Sequence, residues 1–392
     1  MERKDKKTKK SPWHILALKE KMVLAFTLLF VPASCQVFAS QLHIDYSMNF
    51  SAETLGPGMT KVVVKNPWKG ARKDFCYILL DTKDKDNISK ANGLRDRCSI
   101  IRVPVKSMVV LSSTYYGLID ALDATNKIIG ASRPATSNTP GIRRGFEQGK
   151  IKDVGQGLDV SIESILELHP EVIFTYATGG FRDIHPKLQE AGLKVIVCAE
   201  YMERHPLGRA EWIKFFGLFL DRQKEADNIF QRVRQRYIDL SKMASKRPSC
   251  PTVVTNIPFG GRWYVPGGKS FVARFIKDAG ACYIFKETNS AGSIPMDLEV
   301  VYDRGKNADY WINTGTWTSL SDIARTDPRL LSFKAVRTGK IYNNNRRVNS
   351  LGGNDYWDSG VLRADRVLAD LIHIFHPGLT PGYRPFYYQQ LR

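Results

Sequence analysis

Arginines and aromatic residues recur at one kind of position in this chain, just after short apolar runs that read as strands. Tyr115 and Tyr116 follow SMVVLSST, Arg133 follows NKIIGAS, Tyr176 ends EVIFTY and Tyr201 comes after LKVIVCA. In the second half Arg262, Trp263 and Tyr264 come after TVVTNIP, Trp317 follows DYWINTG, and Arg346 and Arg347 follow IYNNN. Asn354 and Trp357 lie in GGNDYWDSG. Aromatic faces stack on rings and guanidinium forks grip carboxylate or catecholate oxygens, so the set suits a large, planar, partly anionic ligand. Taken singly, a Tyr or Trp is more often core than ligand wall. Tyr115 or Tyr116 also has the chemistry to ligate a haem iron.

No catalytic constellation accompanies these residues. G-x-S-x-G, H-E-x-x-H and a Walker-type loop are missing, and the GGK of 267–269 lacks the P-loop spacing. His373 and His376 stand three apart in the last helical stretch, and such a pair reads as surface or core before it reads as metal ligands. A metal-ion binding protein would need a His, Glu and Asp cluster where this chain carries aromatics and arginines. The sequence implies no metal and no resident cofactor. It favours a binding protein over an exported two-lobe α/β enzyme of hydrolase or chelatase-like type.

With 392 residues, 43% hydrophobic and 25% charged, the chain is globular in composition. Its formal charge is +19, and most of that lies beyond residue 39. The excess suits an anionic ligand, an acidic partner or an anionic surface, and equally a merely basic exterior. Nucleic acid is not an expected partner. A basic run from Arg3 to Lys21 precedes MVLAFTLLFV, which is short for a bilayer span but fits the apolar part of a signal peptide. Cleavage after Ala39 gives a soluble exported protein. Ala33-Ser34-Cys35 resembles the end of a lipobox and makes Cys35 a lipidated N-terminus, although Pro32 departs from the usual Leu. Cys76 and Cys98 flank a polar loop and can close it as a disulfide in an oxidising compartment. Cys198 and Cys282 sit in apolar contexts that suit buried free thiols.

The elements that must position these residues follow from periodicity. After a signal peptide of residues 1–39, residues 40–105 hold KVVVKNP and FCYILLD and read as a β add-on. Over 106–205 nearly continuous apolar strands alternate with helices, as in a parallel sheet covered on both faces. Residues 206–247 carry apolar side chains three and four apart, including Trp212, Phe215, Phe219, Phe230 and Tyr237. That spacing predicts a short helix and then a long one, about 36 Å, with Asp221 capping the second. Residues 248–392 restart the alternation. The fold class is α/β: two parallel-sheet lobes joined by a long rigid α-helix, with an N-terminal β add-on. A weak repeat ties the lobes, since Glu163 precedes EVIFTYATG as Glu299 precedes ADYWINTGT.

In this order the segments resemble the ABC-importer substrate-binding proteins for ferric siderophores, cobalamin and haem. MVVLSSTYYGLIDALDATNKIIGAS is similar to that family's first strand, helix and second strand, and VSIESILELHPEVIFTY to its helix-Pro-acidic-strand unit. AGLKVIVCAEYMERHPLGRAEWIKFFG matches the edge strand and its exit into the linker, while GGKSFVARFIKDAGA and SIPMDLEVVYDRGKNADYWI match the second lobe. The likeness covers roughly residues 105–380. It implies a monomer in the periplasm, anchored as a lipoprotein if Cys35 is modified. The ligand would sit in a cleft between lobes, faced by the strand-end residues, and a stiff linker would keep closure small. The loaded protein would dock on a permease served by its ATPase. One acidic residue per lobe would engage permease arginines, and the repeat points to Glu163 and Glu299, with Asp183 as an alternative in the first lobe. A Glu in the first turn also stabilises its own helix through the dipole.

Overall fold

In the computed structural model, which describes residues 42–82, 93 and 97–392, alternating side chains first build a four-stranded sheet. Phe50–Gly56 (β1) and Met59–Val64 (β2) form an antiparallel hairpin, Phe75–Asp81 (β3) pairs antiparallel with β2, and Ser99–Val103 (β4) runs parallel to β3. Alternation sends Phe50, Ala52, Val62, Val64, Tyr77 and Leu79 into the main core, while Ile78 and Leu80 pack with Cys98 on the other face. The Cys76–Cys98 disulfide closes the polar loop. The hydroxyl of Tyr77 accepts the Val197 N–H at 2.8 Å and fastens this sheet to the next. The expected signal segment, both cleavage readings and Cys35 lie outside the described residues.

Met108–Val110 (β5), Ile128–Ala131 (β6), Lys152–Asp153 (β7), Val172–Tyr176 (β8) and Val195–Cys198 (β9) form the parallel sheet of the first lobe, in the order β7-β6-β5-β8-β9. Tyr116–Asp120 (α1), Pro140–Glu147 (α2), Ile162–Leu168 (α3) and His185–Glu190 (α4) connect them. Strands β5 and β9 are buried at every residue, which is why they read as unbroken apolar runs. The chain moves from β5 to one edge and returns to the other side of it. The order therefore reverses between β5 and β8, and a crevice opens outside their carboxyl ends.

The linker is two helices, Pro206–Leu220 (α5) and Gln223–Ser245 (α6). All fifteen residues of α5 are buried, so it has no polar face, whereas α6 buries one stripe that includes Ala226, Phe230, Val233 and Tyr237. Asp221 does not cap the second helix as the sequence suggested. It ends α5 in the left-handed conformation, at φ 56°, and Arg222 precedes α6.

In the second lobe come Thr252–Thr255 (β10), Pro258–Phe259 (β11), Arg262–Pro266 (β12), Phe271–Asp278 (α7), Cys282–Tyr283 (β13), Ser293–Met296 (β14), Leu298–Gly305 (α8) and Tyr310–Ile312 (β15). Leu320–Thr326 (α9), Lys334–Arg337 (α10), Ile341–Asn343 (β16), Asp355–Asp358 (α11), Ala364–Phe375 (α12) and Gln389–Gln390 (β17) complete it. Its main sheet has the order β13-β10-β15-β16-β17, parallel except at β17, and β11, β12 and β14 form a small antiparallel sheet beside it. Gly260 and Gly261, at φ 57° and 76°, make the tight turn between β11 and β12 that a side chain would strain. The repeat is topological: β8 and β15 each lie beside the first strand of their own sheet, preceded by α3 and α8. Cys282 is not a free thiol, because a disulfide joins it to Cys250; Cys198 is free and buried.

Candidate functional site

Large apolar side chains left in water mark a surface made for contact where they gather, not where they are scattered singly. Among the described residues thirteen are so exposed, and eight of them lie at the end of β8 or on the segments that follow β7, β8, β10 and β16. Leu158, Tyr176 and Phe181 belong to the first lobe; Phe259, Tyr264, Val348, Leu351 and Trp357 to the second. Phe181 is 91% exposed and Phe259 77%, so neither ring is packed in the core, and Phe181 is met by the guanidinium of Arg182 at 5.4 Å. Among the described residues no group of three or more His, Cys, Asp or Glu is placed to hold a metal. His373 Nδ1 is 2.9 Å from the Thr380 hydroxyl, and His376 Nε2 is 3.0 Å from the Gly280 carbonyl.

The structure divides the sequence candidates. Tyr115, Tyr116, Trp263 and Trp317 are core residues and present no surface to a ligand. Tyr116 donates to the Ser132 carbonyl at 2.6 Å, and Trp263 donates to the Thr255 carbonyl while stacking on Trp311 at 5.4 Å. Tyr201 is half-buried and donates to the Ala177 carbonyl, pinning the end of β8, and Asn354 caps α11. Arg262 pairs with Asp297, and Arg347 pairs with Asp355 at 2.5 Å beneath the Phe386 ring. Arg133 is exposed after β6, and Arg346 is exposed beyond β16. Tyr176 at the end of β8, Tyr264 in the middle of β12 and Trp357 in α11 remain open, Trp357 edge-on to the buried Tyr356. Glu163 and Glu299 are exposed in the first turns of α3 and α8, and Glu299 pairs with Arg329 at 2.8 Å.

The lobes meet along a polar seam. Asp358 of α11 accepts the Ser137 hydroxyl at 2.9 Å and the Asn138 N–H at 2.7 Å, both from the first lobe. Asn138 donates to the Gly353 carbonyl, and Asn349 to that of Thr136, each at 2.8 Å. Burial, with Asp355 nearby, pushes the Asp358 carboxyl up to about 6 against the pull of its hydrogen bonds. Gly117 passes so close to the Asp358 carbonyl that a Cβ there would lie 2.5 Å from it.

Behind the seam sits a buried polar group that the sequence reading missed. Arg209 of α5 is 6% exposed, and its Nε has no hydrogen-bond partner. Its guanidinium lies 4.4 Å from the centre of the Phe271 ring of the second lobe. Glu200 of the first lobe takes the Thr114 hydroxyl on Oε1 at 2.8 Å, and its Oε2 has no well-aligned donor. Burial raises the Glu200 carboxyl and lowers the Arg209 guanidinium, each partly opposed by the other's charge. The hydroxyls of Tyr115, Thr255 and Thr314, all beyond or at the ends of β5, β10 and β15, also lack well-aligned partners. The signal in the sequence was the presence of Arg209, Glu211 and Lys214 in an otherwise apolar helix.

Comparison with known proteins agrees with this architecture. The family described as periplasmic binding protein matches residues 108–346. An uncharacterized lipoprotein of Methanocaldococcus jannaschii is 32% identical over 343 residues, covering 83% of this chain and 80% of its own. A second uncharacterized lipoprotein of that organism is 30% identical over 328 residues, covering 79% and 80%. A periplasmic haem-binding protein from Pseudomonas aeruginosa shares the fold with a TM-score of 0.56 at 18% identity, over 74% of this chain and 98% of that one. The periplasmic vitamin B12 binding protein of Vibrio cholerae does so with a TM-score of 0.52 at 14% identity, over 71% and 99%. Two lobes on a helical linker, a seam between them and apolar groups at both sets of strand ends are thus those of a binder and not an enzyme: the chain belongs to the periplasmic binding protein family.

Proposed function

We propose that this protein is the extracytoplasmic substrate-binding component of an ABC importer and captures a large ligand, an iron chelate such as a ferric siderophore or haem, or cobalamin. The observation that carries this reading is the set of unpacked apolar side chains at the carboxyl ends of both sheets. A ring or macrocycle held between Phe181 and Tyr176 on one side and Phe259, Tyr264 and Trp357 on the other would bury what is now exposed. Each ring covered contributes about 1.5–3 kcal/mol. The haem-binding and B12-binding titles of proteins with this fold support the ligand class, and the lipoprotein relatives support a lipid anchor at Cys35 in the periplasm.

Titration with haemin, cyanocobalamin and a ferric catecholate, followed by tryptophan fluorescence, tests the reading. At least one should quench saturably, and Trp357→Ala or Phe181→Ala should weaken it about tenfold or more. No response to any of the three sinks the proposal. Docking would use Glu163 and Glu299, equivalent by topology. Glu163→Lys with Glu299→Lys should leave ligand affinity intact and abolish uptake through the cognate permease. Normal uptake would leave these residues only their role at the helix dipole.

A further inference from the structure

A cavity of about 980 Å³ opens away from the strand ends, between residues 45–48, the end of α6 and α7. None of the aromatic or arginine candidates discussed above lines it. Six cations do, Arg204, Arg247, Lys269, Arg274, Lys277 and Lys286, against one carboxylate, Asp45.

Elsewhere in the second lobe Arg262, Arg304, Lys306, Lys334 and Arg347 each have a carboxylate partner, and cations without a described one, such as Arg337, Lys340 and Arg346, do not line this cavity. Around the cavity Arg274 is bonded to Asp278, and Asp45 is engaged by His43 and, more distantly, Arg234. No described carboxylate lies within ion-pair distance of Arg204, Arg247, Lys269 or Lys277. Like charges converging on a concave surface repel one another, and low-dielectric walls focus their field on whatever enters. The first turn of α7 adds the positive end of its dipole, with Gly268 and Ser270 on the cavity wall. His205, also on the wall, is held down to about 4 by burial and then by the charge of Arg274, so it stays neutral at physiological pH.

We propose that this cavity is a second binding site, distinct from the strand-end site, for a phosphate-bearing polyanion. Phosphate oxygens match guanidinium forks and ammonium groups, and several negative charges are needed to balance the wall. The volume is at the upper end for small-molecule sites and exceeds what a lone phosphate fills. A soluble phosphorylated compound and the headgroup of an anionic phospholipid share this chemistry.

The experiment separates those sources. The ligand-free protein is titrated with pyrophosphate by calorimetry at low salt and sedimented with vesicles containing the two-phosphate lipid cardiolipin or of phosphatidylcholine alone. Saturable pyrophosphate binding assigns a soluble anion, and binding to the cardiolipin vesicles alone assigns a headgroup. Lys269→Glu with Lys277→Glu should weaken the response at least tenfold, since both side chains are exposed and make no described hydrogen bond. Lys150→Glu with Lys187→Glu makes the same change of net charge on the first lobe and should stay within twofold of wild type. Silence of the wild type towards both probes, or equal behaviour of the two variant pairs, overturns the proposal. Haemin, cyanocobalamin and catecholate titrations of the same variants should match wild type, so the two sites fail or stand separately.

Discussion

Glu203 and Glu211 on one hand, Glu200 and Arg209 on the other, are buried charges within a dozen residues of each other with opposite hydrogen-bond states. Glu203 accepts the Ser47 hydroxyl, the Met48 and Asn49 N–H groups and the Trp212 indole N–H. Glu211 accepts the N–H groups of Asp45, Tyr46 and Ser47 at 2.7–2.9 Å and pairs with Lys214 at 3.2 Å. Both carboxylates are filled, and together they clamp the segment that leads into β1. Glu200 and Arg209 sit at the junction of both lobes and the linker with an oxygen and a nitrogen unused. Burial alone does not tell a structural charge from an available one; the count of satisfied atoms does. A filled carboxylate fixes its neighbours, whereas unused capacity at a junction between lobes is free to change partners when they move.

The largest effect should come from emptying the filled clamp. Glu211→Ala leaves the half-buried N–H groups of Asp45, Tyr46 and Ser47 without their acceptor and takes from the buried Lys214 one of its two carboxylates, with Asp227 remaining at 3.2 Å, which costs about 2–4 kcal/mol. Denaturant unfolding of the purified chain checks it, and a loss below about 1 kcal/mol would remove the distinction.

Asp358 lies between the two cases, filled by donors from the other lobe yet pushed up to about 6. Its folded value stands above the unfolded 3.8, so its stabilising contribution is complete below about 3.8 and is lost as pH rises through about 6. Between pH 4 and 7 the wild type should lose about 1–3 kcal/mol relative to Asp358→Asn. Urea midpoints of the pair at several pH values measure the difference, and parallel curves would place Asp358 with Glu211 as a purely structural acceptor.

The alternation of elements was legible because buried parallel strands such as β5 and β9 leave unbroken apolar runs. The site was legible only in part, and strand geometry explains one failure. In β12 the side chains of Arg262 and Tyr264 point to one face and Trp263 to the other, where it joins the core. Three adjacent candidates could never have faced one ligand. Tyr116 failed for a different reason, since it opens α1 with its ring fully buried and its hydroxyl given to the Ser132 carbonyl. Phe181 and Phe259 were passed over although each adjoins two glycines, as GGF and FGG, and a large apolar residue in such a turn has little to pack on. Arg209 is invisible to periodicity, because α5 is buried all round and only its contacts reveal that its Nε lacks a hydrogen-bond partner.

The smallest effect, and the sharpest test of the comparison, should come from Glu200→Gln. The amide keeps an acceptor for the Thr114 hydroxyl and removes a charge that burial already disfavours. Against that, Arg209 loses the opposite charge that helps to hold it protonated in the interior. The two changes have opposite signs, and no ion pair within 4 Å is broken, so stability should move by less than about 1 kcal/mol in either direction. A tight buried ion pair would behave otherwise, because removing one partner strands the other at a cost of about 3–5 kcal/mol. Unfolding of Glu200→Gln beside Glu211→Gln, the same isosteric change in the filled clamp, therefore decides the matter. A large loss in the second and almost none in the first is expected; equal losses would mean that Glu200 and Arg209 are as fully committed as the clamp, and that nothing at the junction is held in reserve.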